Sequence, residues 1–185
     1  MQLSWSIQYL NIASIAREIR DIRHSTTTEG HINGIWNAIL NWVFDPNNGY
    51  VTRPQEMHTA HGGQKGFSDF HTFEHVAGNR RFFLVTQCKS PEWGDAIWES
   101  GREQLDRYLS MQHGNRPTNA RTPVYGILAV GRWARFFRYH DPSQSCEDWR
   151  PWSGWPKKHE GRRCYDILQD DQLVQDALRV ILNNH

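Results

Sequence analysis

The chain has 185 residues, 38% hydrophobic and 22% charged, a globular balance that fits one ordinary domain with its own core. No apolar run approaches the ~18 residues of a membrane span, and the amphipathic opening stretch lacks the leader pattern of an export signal, so an intracellular protein, nuclear or cytoplasmic, is expected. With 21 basic against 20 acidic side chains the net charge is +1, so nucleic-acid binding would have to rest on local clusters rather than a global basic field.

Cys88, Cys146 and Cys164 are scattered and include no C-x-x-C pair, which argues against a disulfide framework or a thiolate zinc site and fits a reducing compartment. In chain order, Leu3, Ile7, Leu10, Ile15, Ile19 and Ile22 predict an amphipathic helix over residues 4–23, ended by the hydroxyl-rich Ser25 to Thr28. Ile32, Ile35, Trp36, Ile39, Leu40 and Val43 recur at three and four residue steps from Glu29 onward, a second helix stopped by Asp45-Pro46-Asn47-Asn48-Gly49. A short strand is expected around Tyr50 to Arg53, followed by a mobile His, Gly and Gln-rich loop to residue 66.

Phe67 to Val76 and Arg81 to Cys88 read as two strands of an antiparallel hairpin, with Ala77-Gly78-Asn79-Arg80 as the turn and Gly and Asn taking its left-handed conformations. The run Phe82 to Thr86 is apolar on both faces, as a covered central strand requires. Residues 93–110 carry Ile97, Gln104, Leu105 and Tyr108 on one helical stripe, with Trp98, Leu105 and Leu109 on an adjoining one. After a linker from Gly114 to Thr122, Val124 to Val130 is another doubly apolar strand, and Trp133 to Tyr139 alternates as its returning neighbour. Trp149, Trp152 and Trp155 lie in a Pro and Gly-rich stretch, read as a loop pinned by its large apolar side chains. Cys164 to Leu168 is expected as a last short strand, and 171–183 as a closing helix. No internal repeat is visible.

Side chains alternate across a strand, so Gln87 and Lys89 share a face about 6 to 7 Å apart along the axis. If the hairpin folds as drawn, Asp69 on the partner strand faces them. Such a cluster at the end of an apolar strand suits a hard divalent cation, which takes oxygen ligands from one or two carboxylates, carbonyls and waters. Asp69, the Gln87 amide oxygen and the backbone carbonyl of Cys88 would supply those oxygens, and Lys89 would hold or activate a water and steady charge on a phosphate.

Asp69, the hairpin, Gln87-Cys88-Lys89 and the helix after it resemble the PD-(D/E)XK nuclease superfamily, as does Gln104-Leu105-Asp106-Arg107-Tyr108, similar to that family's Gln-x-x-x-Tyr signature. The segment Thr122 to Tyr139 is similar to uncharacterised fungal members. The resemblance implies an α/β fold with a restriction-endonuclease-like core: a central mixed sheet flanked by helices in the order α-β-β-β-α-β-β. That core would span residues 29–139 of a single domain covering 1–185. It further implies a Mg²⁺- or Mn²⁺-dependent hydrolase of phosphodiester bonds, in DNA rather than RNA. Lys89, Asp69, Gln87, Gln104 and Tyr108 would serve the chemistry, with Asp69, Gln87, the Cys88 carbonyl and a helical Glu, Glu29 ahead of Glu18, around the metal. Oligomeric state is left open, a homodimer included.

Gln87 stands where the family motif has Asp or Glu, and that neutral amide favours a second reading: the same fold serving as a nucleic-acid or protein binding module, or as an effector, without turnover. A zinc site from His58 and His61, or His71 and His75, lacks a completing ligand at a known spacing. His71 shares a strand face with Asp69, from which it could approach a scissile phosphate, and packing or hydrogen bonding within the sheet is its expected role. Arg80, Arg81, Arg116, Arg121, Arg132, Arg135 and Arg138 give the sheet end a local basic character, either as phosphate contacts or as an ordinary solvated surface.

Overall fold

The computed structural model describes residues 8–59, 65–92, 94–114, 121–143 and 145–185. A 3₁₀ turn at Tyr9–Asn11 precedes helices α1 (Ala13–Arg20) and α2 (Glu29–Val43) and strands β1 (Tyr50–Thr59), β2 (Lys65–Val76) and β3 (Asn79–Lys89). Helix α3 (Asp95–Gly114), strands β4 (Tyr125–Val130), β5 (Trp133–His140), β6 (Ser145–Asp148) and β7 (Tyr165–Asp166), and helix α4 (Asp171–Asn184) follow. The strands form one seven-stranded sheet in the order β1-β2-β3-β4-β5-β6, with β7 also pairing β5. The β3–β4 pair is parallel and the other pairs are antiparallel, so the protein is mixed α/β with a mostly antiparallel sheet flanked by four helices.

The two faces of the sheet have separate cores. On one, α1, α2 and α4 bring Ile19, Ile32, Trp36, Ile39, Leu178 and Ile181 onto Leu84, Ile127, Ala129 and Phe136. On the other, Leu105, Tyr108 and Leu109 of α3 cover Val85, Leu128, Val130 and Phe137. Every residue of β4 is buried, as its unbroken apolar run requires. Helix α2 has the expected boundaries: Thr28 caps it by accepting the His31 N–H at 3.3 Å, and Glu29 in its first turn complements the helix dipole.

The helix expected over residues 4–23 is shorter. Residues 4–7 lie outside the described ones, and Ile12, extended at φ −86° and ψ 106°, separates the 3₁₀ turn from α1. The cause is tertiary: Tyr9 is fully buried and its hydroxyl donates to the Ile167 carbonyl at 2.6 Å, anchoring the turn to the far end of the chain. The strand expected at residues 50–53 continues to Thr59, and β2 starts at Lys65, so 60–64 alone of the expected loop lie outside the described residues.

The hairpin turn is tighter than expected. Val76 pairs with Asn79, which leaves the two-residue loop Ala77-Gly78 at φ 48° and 81°, a twist that matches the flanking strands, and puts Asn79 and Arg80 in β3. Within this pair one extra β3 residue falls between Thr72–Leu84 and Phe73–Phe82, so Phe83 and Leu84 both join the core beneath α2. Strand β6 was not expected. The tryptophan-rich stretch after it is pinned as predicted, since Trp149 and Trp155 are buried while Trp152 stays exposed.

Helix α3 lies close on the sheet because two contact positions lack side chains. A Cβ on Gly101 would stand 2.6 Å from Leu128 Cδ1, and one on Gly126 2.8 Å from Leu105 Cδ2, with Leu105 and Leu128 fully buried. We expect Gly126→Ala to push α3 outward and cost about 1–3 kcal/mol in urea denaturation, as overpacked cores do. An unchanged midpoint would contradict this packing.

Candidate functional site

Strands β2 and β3 pair from Val76–Asn79 to Phe70–Thr86, where their ladder stops. Beyond it a side chain takes over: Asp69 Oδ2 accepts the Cys88 backbone N–H at 2.7 Å. That oxygen also accepts from Gln87 Nε2, and Oδ1 accepts from Asn33 Nδ2 at 3.4 Å. The N–H and C=O of one strand residue point to the same side, so the Cys88 carbonyl is directed into the same gap between the strands.

Lys89 follows on the Gln87 face, with Nζ 3.7 Å from Glu29 Oε2 at the head of α2. Its side chain is 16% exposed and that of Glu29 45%, so the ammonium is largely enclosed while the carboxylate meets solvent. Burial raises the Asp69 pKa; the Cys88 N–H lowers it, the Glu29 charge raises it, and Lys89 and Asn33 lower it. Tyr108 is buried, its pKa raised by burial first and also by Asp69, with Arg107 opposing. Asp69, Gln87, Lys89 and Glu29 therefore meet at one end of the sheet, with Tyr108 within reach of the Asp69 charge.

Gln104 lies one turn before Tyr108 on α3. Its Oε1, Gln87 Oε1 and Asn33 Oδ1 are buried and have no hydrogen-bond partner among the described residues. Buried amide oxygens left unpaired are costly, and here they accompany a carboxylate. Among the described residues no three His, Cys, Asp or Glu side chains converge to hold a metal. A cation here would rest on one or two carboxylates with amide and backbone oxygens, a donor set that suits Mg²⁺ rather than zinc.

Glu18 pairs with His31 Nε2 at 2.9 Å, whereas Glu29 reaches Lys89. His71 is fully buried with its ring edge-on to Phe82, a packing position closed to a phosphate, and His75 stands edge-on to Phe73. The side chains of His58 and His61, and Arg116, lie outside the described residues. Arg81, Arg121, Arg132 and Arg135 are paired with Glu74, Asp141, Asp166 and Asp148, and Arg80 lies over the Phe73 and Phe82 rings, which leaves Arg138 exposed on β5. All three cysteines are buried and unpaired. No helix among the described residues is long and apolar enough to cross a membrane.

Asn33 is the site residue that sequence reasoning missed. Its signal was a polar residue one turn after Glu29 on the same face of a helix otherwise marked by its apolar positions.

A raised pKa fixes the sign of a stability effect. The ionised Asp69 carboxylate is less favourable in the fold than in the unfolded chain, so its contribution to stability is complete below the unfolded value of about 3.9 and is lost as pH rises through the folded one. Asp69→Asn is therefore expected to melt at a higher temperature than wild type at pH 7, with the gain shrinking as pH falls. Calorimetric melting across pH 4–8 checks this; a loss of stability at neutral pH would mean that the donors around the carboxylate outweigh its burial.

No family model matches the chain, and no curated protein does. Among solved structures it is similar to one described as "cryoEM structure DrdV-DNA complex", with a TM-score of 0.56 and 10% identity. The alignment covers 97% of this chain and 14% of that one, so the chain spans about a seventh of the length of its structural neighbour. At this identity the likeness is one of fold.

Proposed function

We propose that the protein is a divalent-metal-dependent nuclease that hydrolyses phosphodiester bonds in DNA, on a restriction-endonuclease-like core running α2-β1-β2-β3-α3-β4-β5. The observation that carries the reading is the Asp69 carboxylate held against Gln87 and the Cys88 N–H, next to the Lys89–Glu29 pair, where the β2–β3 ladder ends. The DNA in the complex of the structural neighbour supports the choice of substrate.

Asp69, the Gln87 amide oxygen and the Cys88 carbonyl would hold Mg²⁺ or Mn²⁺, with Glu29 as the second carboxylate. The bound cation would polarise the phosphate and lower the pKa of a coordinated water. Lys89, its three N–H donors steered by Glu29, positions the attacking water and neutralises charge growing on the phosphate oxygens. Tyr108 and Gln104 would close the α3 side of the site, Gln104 offering the buried amide oxygen that has no partner among the described residues. Asn33 fixes the rotamer of Asp69.

One feature favours a second reading. Gln87 contributes no charge, and a neutral amide binds Mg²⁺ less strongly than a carboxylate, which suits a fold kept for binding nucleic acid or protein without turnover. Plasmid nicking separates the two. The nuclease reading expects nicking in Mn²⁺ that stops in chelator, is abolished in Asp69→Ala and falls about 10²–10⁴-fold in Lys89→Ala, with folding retained by circular dichroism. A silent wild type in which Gln87→Glu creates activity establishes the binding module instead.

A further inference from the structure

A cavity of about 510 Å³ lies beside the site, beneath the start of α3 and over the ends of β4 and β5. This volume suits a small organic ligand. Two rows of residues cross the sheet on the α3 face and join site to cavity. Lys89 pairs with Val130 and Val130 with Trp133; Gln87 pairs with Leu128 and Leu128 with Arg135. Two strand spacings place Trp133 about 10 Å from Lys89. Pro91, two residues beyond Lys89, forms part of the wall and packs against Gly131, whose N–H donates to the Lys89 carbonyl at 3.0 Å.

Trp133 and Trp98 supply indole walls to the cavity. His159 lies tilted at 32° over Trp133 at 4.4 Å between ring centroids, and the Arg135 guanidinium lies 5.7 Å from the centre of the Trp98 ring. The cavity's three arginines are each held by a carboxylate: Arg132 by Asp166, Arg135 by Asp148 and Arg162 by Asp95. Glu92 and Glu160 add negative charge to the lining. A cavity so balanced has little to attract a phosphate. Aromatic walls with fixed donors and acceptors around the rim instead suit a neutral heteroaromatic ring with polar edges.

We propose that this cavity takes a nucleobase of the substrate strand, stacked against Trp133 and Trp98, from a nucleotide neighbouring the phosphodiester held at Asp69 and Lys89. The placement relative to the scissile bond rests on the nuclease reading; the stacking pocket does not. Such a pocket requires the base to leave its duplex stack or to arrive in a single strand, so it favours frayed, unpaired or single-stranded DNA near the cut.

The test is a binding titration of the full chain in chelator with a short single-stranded oligonucleotide carrying one 2-aminopurine, beside an oligonucleotide of equal length built from abasic nucleotides. Wild type is expected to quench the 2-aminopurine. Trp133→Ala is expected to weaken binding of the base-bearing strand about tenfold, Trp133→Phe to retain most of it, and the abasic strand to bind wild type and Trp133→Ala alike. Equal loss for both strands, or no loss for either, overturns the proposal. Saturable, Trp133-dependent binding of 2-aminopurine nucleoside monophosphate without base dependence in the oligonucleotide assigns the cavity to a free nucleotide and also overturns it. Base-dependent binding by a chain that never nicks plasmid keeps the pocket and removes the nuclease; nicking without base dependence does the reverse.

Discussion

The hydrogen bond from the Cys88 N–H to the Asp69 carboxylate governs this end of the molecule. Cys88 is fully buried, and past Thr86 its strand has lost the β2 backbone as a partner. An unmet backbone N–H there would cost about 1–3 kcal/mol. By accepting it, Asp69 lets β2 and β3 part without leaving that donor unpaired, and the gap so opened receives the polar atoms of Gln87 and Cys88. The same bond fixes the orientation of the carboxylate, which Asn33 secures from the opposite side.

The surroundings hold this gap in shape from both faces. Glycines at 101 and 126 let α3 lie close on the sheet, with Tyr108 near enough to feel the Asp69 charge, while α2 delivers Glu29 and Asn33 from its first two turns. The charges are few: two carboxylates and one ammonium, with amides where further carboxylates would bring more negative charge. That economy links the proposed chemistry to the burial of Asp69. A carboxylate enclosed against its own preference for water is a destabilised group, and sites that bind or react commonly carry such a cost.

What was legible in the sequence follows from whether a signal was local. The period of apolar residues between Ile32 and Val43, with a threonine before them and Pro-Asn-Asn-Gly after, was enough to bound α2. The doubly apolar runs marked β3 and β4, and alternation placed Gln87 and Lys89 on one face. Helix α1 was overextended because the anchor that splits it, Tyr9 on Ile167, joins residues 158 positions apart. Strand β6 was invisible because Ser-Cys-Glu-Asp has little strand character of its own and is held by pairing with β5. The hairpin was legible but its turn was not, because Ala77 takes a left-handed conformation that its side chain disfavours. The cavity beside the site draws its walls from segments scattered between Ile22 and Cys164, and no spacing in the chain announces it.

In the proposed site Asp69, Gln87 and Cys88 together would present oxygen atoms to a divalent cation. Isothermal calorimetry of Mn²⁺ into the full chain addresses it without any dependence on turnover. A single saturable site, retained in Lys89→Ala and absent in Asp69→Ala, is the result expected. Wild type and Asp69→Ala giving the same heats would contradict it.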